Sequence, residues 1–533
     1  MGKVALYWNT IKYMKPSQIY YRIIKKLGLK CTIGCTPNTN YKDVISIKIP
    51  SEFDNDPVFL ERFNADEFLN DKVTFLHSSK KFFWNEKWEF EDQSALWNFN
   101  LHYFEYLFSM LLTYEKTGNK EYFNKTIFCI NAWINQNPVG EGIGWSPYTI
   151  DLRLTNWISY YCITERYLPT DFKLRMIESI HEQYVYLSKH IEKDILGNHY
   201  FEDLKTLILC SLFFQDNQML QASLKAFREE CREEILPDGM HFELSPMYHK
   251  IVFEGLLRVT IALRGNGIKE IELEKLIQPM LDVAWSFEEG LERIPLFNDC
   301  GNNIAKSLSC FVEICKSEFG IVPKFKSVLV DSGFYIYKWN KWKMIVDAGQ
   351  VGPSYIPGHA HCDAMSFELF KDGKPVLVNC GTYAYQCEKR NFFRSTSAHN
   401  TVMINGSEQS EFWGDFRLAK RSKVNVLSSN KNSIIIEMED QNRVKIKRII
   451  KFTENTMIIE DLSYENNLKS YIHIPKLIGE NMCNFIIMDE GSKMSMEKQL
   501  YSVEYGKLNE ISAAIIEAKN RMKIMIDLEK IPV

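Results

Sequence analysis

WNFNLHYFEYLFSMLLTYEKTG, Trp97 to Gly118, carries large apolar residues three to four positions apart and stops at a glycine. That spacing stacks side chains on one face of a helix, and glycine is the residue that most readily ends one. IDLRLTNWISYYCITERYL, FKLRMIESIHEQYVYLSKHIEK, HYFEDLKTLILCSLFF and HKIVFEGLLRVTIALRGNG follow the same pattern, separated by short polar or glycine-bearing joins. The helical pattern runs from about Glu52 to Glu318, and repeated antiparallel helix pairs, as a solenoid or a closed α/α toroid, are its simplest architecture. No tight sequence repeat marks a solenoid family. Beyond about Lys326 the texture changes. SGFYIYKWNKWKMIVDAG, PVLVNCGTYAY, NTVMINGSE, NSIIIEMEDQNRVKIKRIIKF and TMIIEDLSY are short, rich in β-branched and aromatic residues, and punctuated by Gly, Asn and Asp. Val444 and Ile446 alternate with Lys445 and Lys447, as in a sheet with one wet face. The expected organisation is a helical domain over residues 1–325 and an antiparallel β-sandwich over 326–533, with the substrate cleft between them.

A chain of 533 residues exceeds what one hydrophobic core usually supports, in agreement with two large domains. A net charge of -4 and a pI near 6.3 give no bulk basic field, so nucleic acid is not an expected partner. The thirteen cysteines include no Cys-x-x-Cys and fit reduced, mostly buried thiols. The opening MGKVALYWNTIKYMKPSQIYYRIIKKLGLK lacks the apolar core and cleavage site of a signal peptide, and the expectation is a cytoplasmic enzyme. LILCSLFF, the densest apolar run, is far too short to span a bilayer, so no integral membrane segment is expected. The opening segment is basic and aromatic. It either lies on a membrane surface or packs as a helix on its own domain.

Chemistry concentrates in a few stretches. GHAHCDAMSFELF, Gly358 to Phe370, sets His359, His361 and Asp363 on alternate positions, which in an extended segment converge on one ligand or ion. Only 11 histidines occur in the chain, so two within three positions stand out, and His399 follows in RSTSAHNTVMING. The competing reading is a pair that caps a loop or sits satisfied in a core. GNHYFED sets Asn198 and His199 at a helix start, with Glu202 close enough to orient the imidazole. ELSPMYHK puts Tyr248 and His249 just after a helix-starting Pro. GTYAYQCEKRNFFRSTSAHN offers Tyr383, Tyr385, Arg390, Arg394 and His399. The aromatics of WNFNLHYFEY and GIGWSPYTIDLRLTNW, Trp145 among them, suit sugar rings or a helical core.

Taken in order, NFNLHYFEY, LRLTNW, GNH, SPMYH, GHAHCDAMSFEL, LVNCGTYAY and RSTSAHNTV resemble the heparinase II/III-like polysaccharide lyases over nearly the whole chain. The resemblance implies an incomplete α/α toroid followed by an antiparallel β-sandwich, and β-elimination on a uronate-containing glycan. It makes Tyr248 the general acid, and in some members also the base. It puts Asn198, His199 and His359 at the uronate carboxylate and Glu202 near them. It implies a structural zinc held by His361 and His399, with a third ligand that is usually an Asp and here is Asn379. A neutral amide holds zinc less tightly than a carboxylate, and Cys380 and Asp363 are nearby in sequence. For a tyrosine to act as base its pKa of about 10 must fall, and Arg394 or His249 are the nearby cations. Tyr385 is a second candidate base. Arg394 is expected either to grip substrate carboxylates or to pair with an acid across the sheet; His249 is either at the substrate or buried.

Three other readings stand beside this one. A glycoside hydrolase needs two carboxyl groups flanking the bond, for which Glu202, Glu243 and Asp363 are available. A metallohydrolase would use His359, His361 and Asp363. A non-catalytic or biosynthetic glycan-binding protein would keep the fold without degrading external polymer.

Overall fold

The N-terminal half is built around the helix Asn198–Phe213, in which every residue except His199 is buried. A helix buried on nearly all sides lies inside a layer of others, and this one packs against Pro147–Thr164, Asn217–Glu234 and Pro246–Gly265. Leu107–Thr117 pairs with Lys120–Gln136, and Pro246–Gly265 with Ile271–Glu288, giving the incomplete α/α toroid. The computed structural model describes residues 3–39, 43–475 and 484–531. Local sequence sets the helix ends. Asn119 and Asp216 cap their helices through the amides of Glu121 and Met219. Gly118 ends Leu107–Thr117 at φ 70°, a left-handed conformation that glycine adopts without penalty.

Two features depart from the helical pattern: Trp97–Gly118 is not one helix but two, Ala95–Tyr103 and Leu107–Thr117, broken at Phe104 with φ 66°, and a hairpin precedes them. Lys72–Phe75 and Ser78–Lys81 form an antiparallel hairpin whose two turn residues, Leu76 and His77, have φ of 50° and 60°. Positive φ at both positions is the signature of the turn that matches strand twist, usually signalled by Asn-Gly, which is absent here. Val73 and Phe75 point inward and hold the hairpin on the helices.

After the last toroid helix, Leu308–Phe319, the regular structure of the described residues is β apart from short helical turns. Five antiparallel strands, Val328–Leu329, Phe334–Trp339, Trp342–Asp347, Phe367–Lys371 and Lys374–Leu377, make one sheet. The second sheet runs Lys423–Asn430, Ser433–Glu439, Lys445–Phe452, Thr456–Ile474 and Asn509–Asp527, with three shorter or peripheral strands attached. Strict inside–outside alternation, as in Ser433–Glu439, faces Ile434, Ile436 and Met438 toward Tyr337, Val346 and Leu369 of the first sheet. The sandwich is fixed to the toroid by an apolar seam in which Phe287 meets Phe334 with ring centroids 4.9 Å apart, beside Met240, Leu244 and Ile345. Truncating Phe287 to Ala would cost about 3–5 kcal/mol and loosen the two halves of the cleft.

The twelve described cysteines are free and mostly buried, and Cys483 lies outside the described residues. Among the described residues no helix is long and apolar enough to cross a membrane.

Candidate active site

A cleft of about 1050 Å³ opens between toroid and sandwich. Two helix starts supply its toroid wall. Gly197, at φ 62° and ψ −152°, turns the chain into Asn198–Phe213, so Asn198 and His199 come first on that helix. Only glycine takes that conformation readily, and the backbone angle alone sets this requirement, because a Cβ there would meet Ile356 and Glu243 only at ordinary contact distance. Ser245 accepts a hydrogen bond from the Tyr248 amide and Pro246 opens the helix, which fixes Tyr248 in its first turn. The amide-rich ends of both helices therefore face the cleft and favour an anion there.

The tyrosine and histidine groups meet across the domain boundary. The Tyr248 ring stacks on the His359 imidazole, centroids 3.9 Å apart. Its hydroxyl lies 2.8 Å from that of Tyr385, which lies 2.7 Å from that of Tyr505. Burial, then the neighbouring Tyr385, Tyr148 and Asp299, pushes the Tyr248 hydroxyl well above its ordinary pKa. Neither Arg394 nor His249 touches it, so the expected lowering by a cation is replaced by its opposite. Tyr248 is a phenol in the resting site.

His359 and His361 do converge, though on a carboxylate. The segment before Phe367 is a run of turns, and Asp299 accepts from His359 Nδ1 at 3.0 Å through Oδ2 and from His361 Nε2 at 2.9 Å through Oδ1. Arg390 binds both oxygens of the same group, with Nη2 at 2.7 Å from Oδ2. Although burial works the other way, Arg390 and the two imidazoles hold Asp299 well below the usual carboxylate range. In the neutral His359 ring, Asp299 keeps the proton on Nδ1, so that the lone pair falls on Nε2. Asp363 stands aside from this group, accepting from the Asn298 amide at 2.9 Å.

His199 is oriented by a different acid from the expected one. Its Nδ1 lies 2.7 Å from Glu192 Oε2, whereas Glu202 is ion-paired with Lys205 on the cleft floor. Burial alone would lower the His199 pKa, but Glu192, with Glu243 and Glu202 farther off, raises it. Asn198 lines the cleft beside it.

Three expected substrate contacts lie in the core. Arg394 is fully buried and donates to the carbonyls of Ala360, Gly414, Asp415 and Arg417, tying loops together. His249 Nδ1 accepts from the His241 amide at 3.2 Å and Nε2 donates to the Met280 carbonyl at 2.9 Å. Trp145 packs on Trp133 and Tyr186 and donates to the Asn137 carbonyl. None of the three lines the cleft.

The expected metal ligands are partly assembled. His361 Nδ1 and His399 Nε2 face each other at 3.2 Å. His361 donates through Nε2 to Asp299, and His399 donates through Nδ1 to the Ser395 carbonyl at 2.8 Å. Burial brings the two pKa values down to about 4 and about 3, so both rings are neutral near pH 7. The facing nitrogens thus each carry a lone pair, and their separation is close to the roughly 3.3 Å between two nitrogens on a tetrahedral zinc with bonds of about 2.0–2.1 Å. Asn379 does not complete the set. Its Oδ1 accepts from the Asn400 amide at 3.0 Å and its Nδ2 donates to the Leu296 carbonyl at 3.0 Å. No group of three His, Cys, Asp or Glu among the described residues is arranged to hold a metal.

Residues 35–317 match the family profile described as heparinase II/III N-terminus, and 323–472 match heparinase II/III-like, C-terminal. A heparin-sulfate lyase of Pedobacter heparinus is 25% identical over 360 residues, covering 60% of this chain and 53% of that protein. Another, of Bacteroides stercoris, is 22% identical over 487 residues, covering 77% and 69%. The match thus spans about half the length of the first relative. A crystal structure of heparinase III superposes with a TM-score of 0.67 at 15% identity, over 96% of this chain and 92% of that one. A heparan sulfate lyase structure from Pedobacter heparinus gives 0.54 at 17% identity, over 96% and 87%. At such identities these superpositions speak for the fold.

Proposed function

Because the chain belongs to the heparinase II/III family, we propose that its cleft cleaves a uronate-containing glycan by β-elimination. The observation that carries the proposal is the stack of Tyr248 on His359, with Asn198 and His199 on the same cleft wall as Tyr248.

In this reading Asn198 and His199, whose hold on a proton Glu192 strengthens, bind the uronate carboxylate and stabilise the enolate that develops beside it. His359 Nε2 takes the C5 proton, and Asp299 stabilises the imidazolium formed, a role for His359 closer to the reacting atoms than carboxylate binding. The C4–O4 bond breaks as the C4–C5 double bond forms, and Tyr248 gives its proton to the departing O4. His359 then loses its proton to solvent and Tyr248 regains one from solvent, which closes the cycle, while the Tyr385 hydroxyl, itself bonded to that of Tyr505, holds the phenol in place. A glycoside hydrolase fits less well. Glu202 is tied to Lys205, Asp363 to the Asn298 amide, and Glu243 and Asp363 do not line the cleft.

The charge of the cleft supports a substrate of low charge density. Arg62 is paired with Glu105 and Lys205 with Glu202. Among the described residues lining the cleft, only the Lys306 ammonium has no carboxylate within ion-pair distance, Glu254 and Glu105 lying farther off; it rests over the Phe59 ring, 3.4 Å from its centroid. A polysulfated chain would find one uncommitted cation, so an unsulfated uronate glycan is the better fit.

We also propose that His361 and His399 supply two of the ligands of a structural zinc that braces the turn carrying His359, a set left short by Asn379, which is committed to the Asn400 amide and the Leu296 carbonyl. Metal content of purified protein and of His399→Ala, with thermal unfolding before and after chelation, tests this. Equal metal content in both, and a melting temperature indifferent to chelator, would refute it.

The lyase proposal is tested by incubating the protein with unsulfated and sulfated forms of the same uronate glycan and following ultraviolet absorbance of the unsaturated uronate. A rise with the unsulfated form is expected. Reducing-end release without absorbance would mean hydrolysis, and binding without either would mean a glycan-binding protein.

A further inference from the structure

The first 42 residues contain eight Lys or Arg and no Asp or Glu, the first acid being Asp43, in a chain whose net charge is -4. They form two short helices, Lys3–Ile11 and Pro16–Lys26, which together bury a single side chain, Gln18. Both are anchored to the protein. Gln18 donates to the Ile195 carbonyl, Lys15 pairs with Glu233, and Trp413 donates to the Thr10 hydroxyl at 3.0 Å while its ring meets Tyr7 edge-on.

What these contacts leave outside is apolar. Val4, Trp8 and Ile11 stand one helical turn apart at 82%, 67% and 47% exposure. Ile19 and Ile23 repeat the spacing on the second helix, with exposed Leu27 just past its end and exposed Tyr20 beside them. Lys3, Lys12, Lys26 and Lys30 have no carboxylate partner among the described residues, whereas Lys15 and Lys25 are committed to Glu233 and Asp194. Two held helices, each with an outward apolar stripe, aromatic residues and free lysines, have the chemistry of segments that lie in a bilayer interface.

We propose that this N-terminal helix pair docks the protein on an anionic phospholipid surface. The apolar stripes enter the headgroup boundary, Trp8 and Tyr20 sit at its level, and the free lysines face lipid phosphates. The docking face adjoins the cleft through one hairpin. Trp413, which grips the first helix, pairs with Arg417, and Phe416 between them lines the cleft beside His359, ring centroids 6.3 Å apart. A glycan held at a membrane would therefore reach the cleft rim while the protein is docked.

The test is co-sedimentation of the full-length protein with vesicles of phosphatidylcholine alone and of phosphatidylcholine with one-third phosphatidylglycerol, at low and high salt. Binding at least tenfold stronger to the anionic vesicles, reduced by salt, is expected. The surface variant Val4→Glu/Trp8→Glu/Ile23→Glu should abolish it with unchanged melting temperature. Absence of sedimentation with anionic vesicles at low salt would overturn the proposal. So would binding that the triple variant leaves intact, or a dimer in solution that the variant dissolves without vesicle binding by either protein.

Discussion

Replacing Asp299 by Asn separates the two tasks of the residue at the centre of the site. The carboxylate accepts from His359 on one oxygen, from His361 on the other, and from Arg390 on both. The amide has one accepting oxygen, so one imidazole must face an N–H and change tautomer. If that is His359, its Nε2 gains the proton it should be free to take. A fall in kcat of about 10²–10⁴, the usual range for a lost acid or base, is expected. Stability also falls, because the Arg390 guanidinium is left buried without a countercharge. Breaking such a pair costs about 3–5 kcal/mol, and the bonds Arg390 keeps to the Asp415 and Gly358 carbonyls put the expectation at the lower end. The pH dependence follows from the depressed pKa. Wild-type stabilisation is present above about pH 3.9, the unfolded value, and is lost as pH falls toward the folded one, so wild type and Asp299→Asn converge in acid. Thermal unfolding and unsaturated-uronate absorbance read the two effects. The double variant Asp299→Asn/Arg390→Gln should regain stability but not turnover. Turnover of both Asp299→Asn and His359→Gln within threefold of wild type, with folding intact, would refute the dyad.

Further expectations follow from single side chains. His359→Gln should lower kcat as far as Asp299→Asn with little loss of stability; near-normal turnover would make Tyr248 base as well as acid. His249→Ala, in the core, should lower stability by about 1–3 kcal/mol through its lost hydrogen bonds while kcat/KM of the folded protein is unchanged, and a raised KM would return it to the cleft. Glu230 is pushed up to about 10 by burial and then by Glu234, so it is protonated in the fold and ionised when unfolded at neutral pH. Wild-type stability should therefore fall as pH rises from about 4.3 toward 10, by up to about 1.4 kcal/mol per unit for one such group. Glu230→Gln should gain in melting temperature relative to wild type between pH 5 and pH 8, and a constant difference would contradict this.

The helical and strand halves were legible because period 3.6 and period 2 are both written in strong residues, from Lys120–Gln136 to Ser433–Glu439, although the same spacing ran through the break at Phe104 that divides Trp97–Gly118 into two helices. The hairpin at Lys72–Lys81 was not, since four-residue strands around Leu76 and His77 carry no turn signal. The segments holding Asn198, His199, Tyr248, His359 and Tyr385 stood out as clusters of polar residues beside helix starts and strands, and all five line the cleft. Asp299, Glu192 and Tyr505 did not, being single residues brought to their partners from far along the chain. Arg390 stood on the page beside Arg394 with nothing to rank them. Residue type alone also misled, because Arg394, His249 and Trp145 satisfy their polar atoms on backbone carbonyls and amides inside the protein. Side-chain chemistry suggests a ligand; burial decides whether one can reach it.

Ultraviolet absorbance of the product, with wild-type protein and Tyr248→Phe on one unsulfated uronate glycan, tests the central claim most directly. The account predicts a steady rise for wild type and a loss of at least about 10²-fold in the variant, with glycan binding and melting temperature preserved. A wild-type protein that binds the glycan without any rise, or a variant that matches wild type, would contradict it.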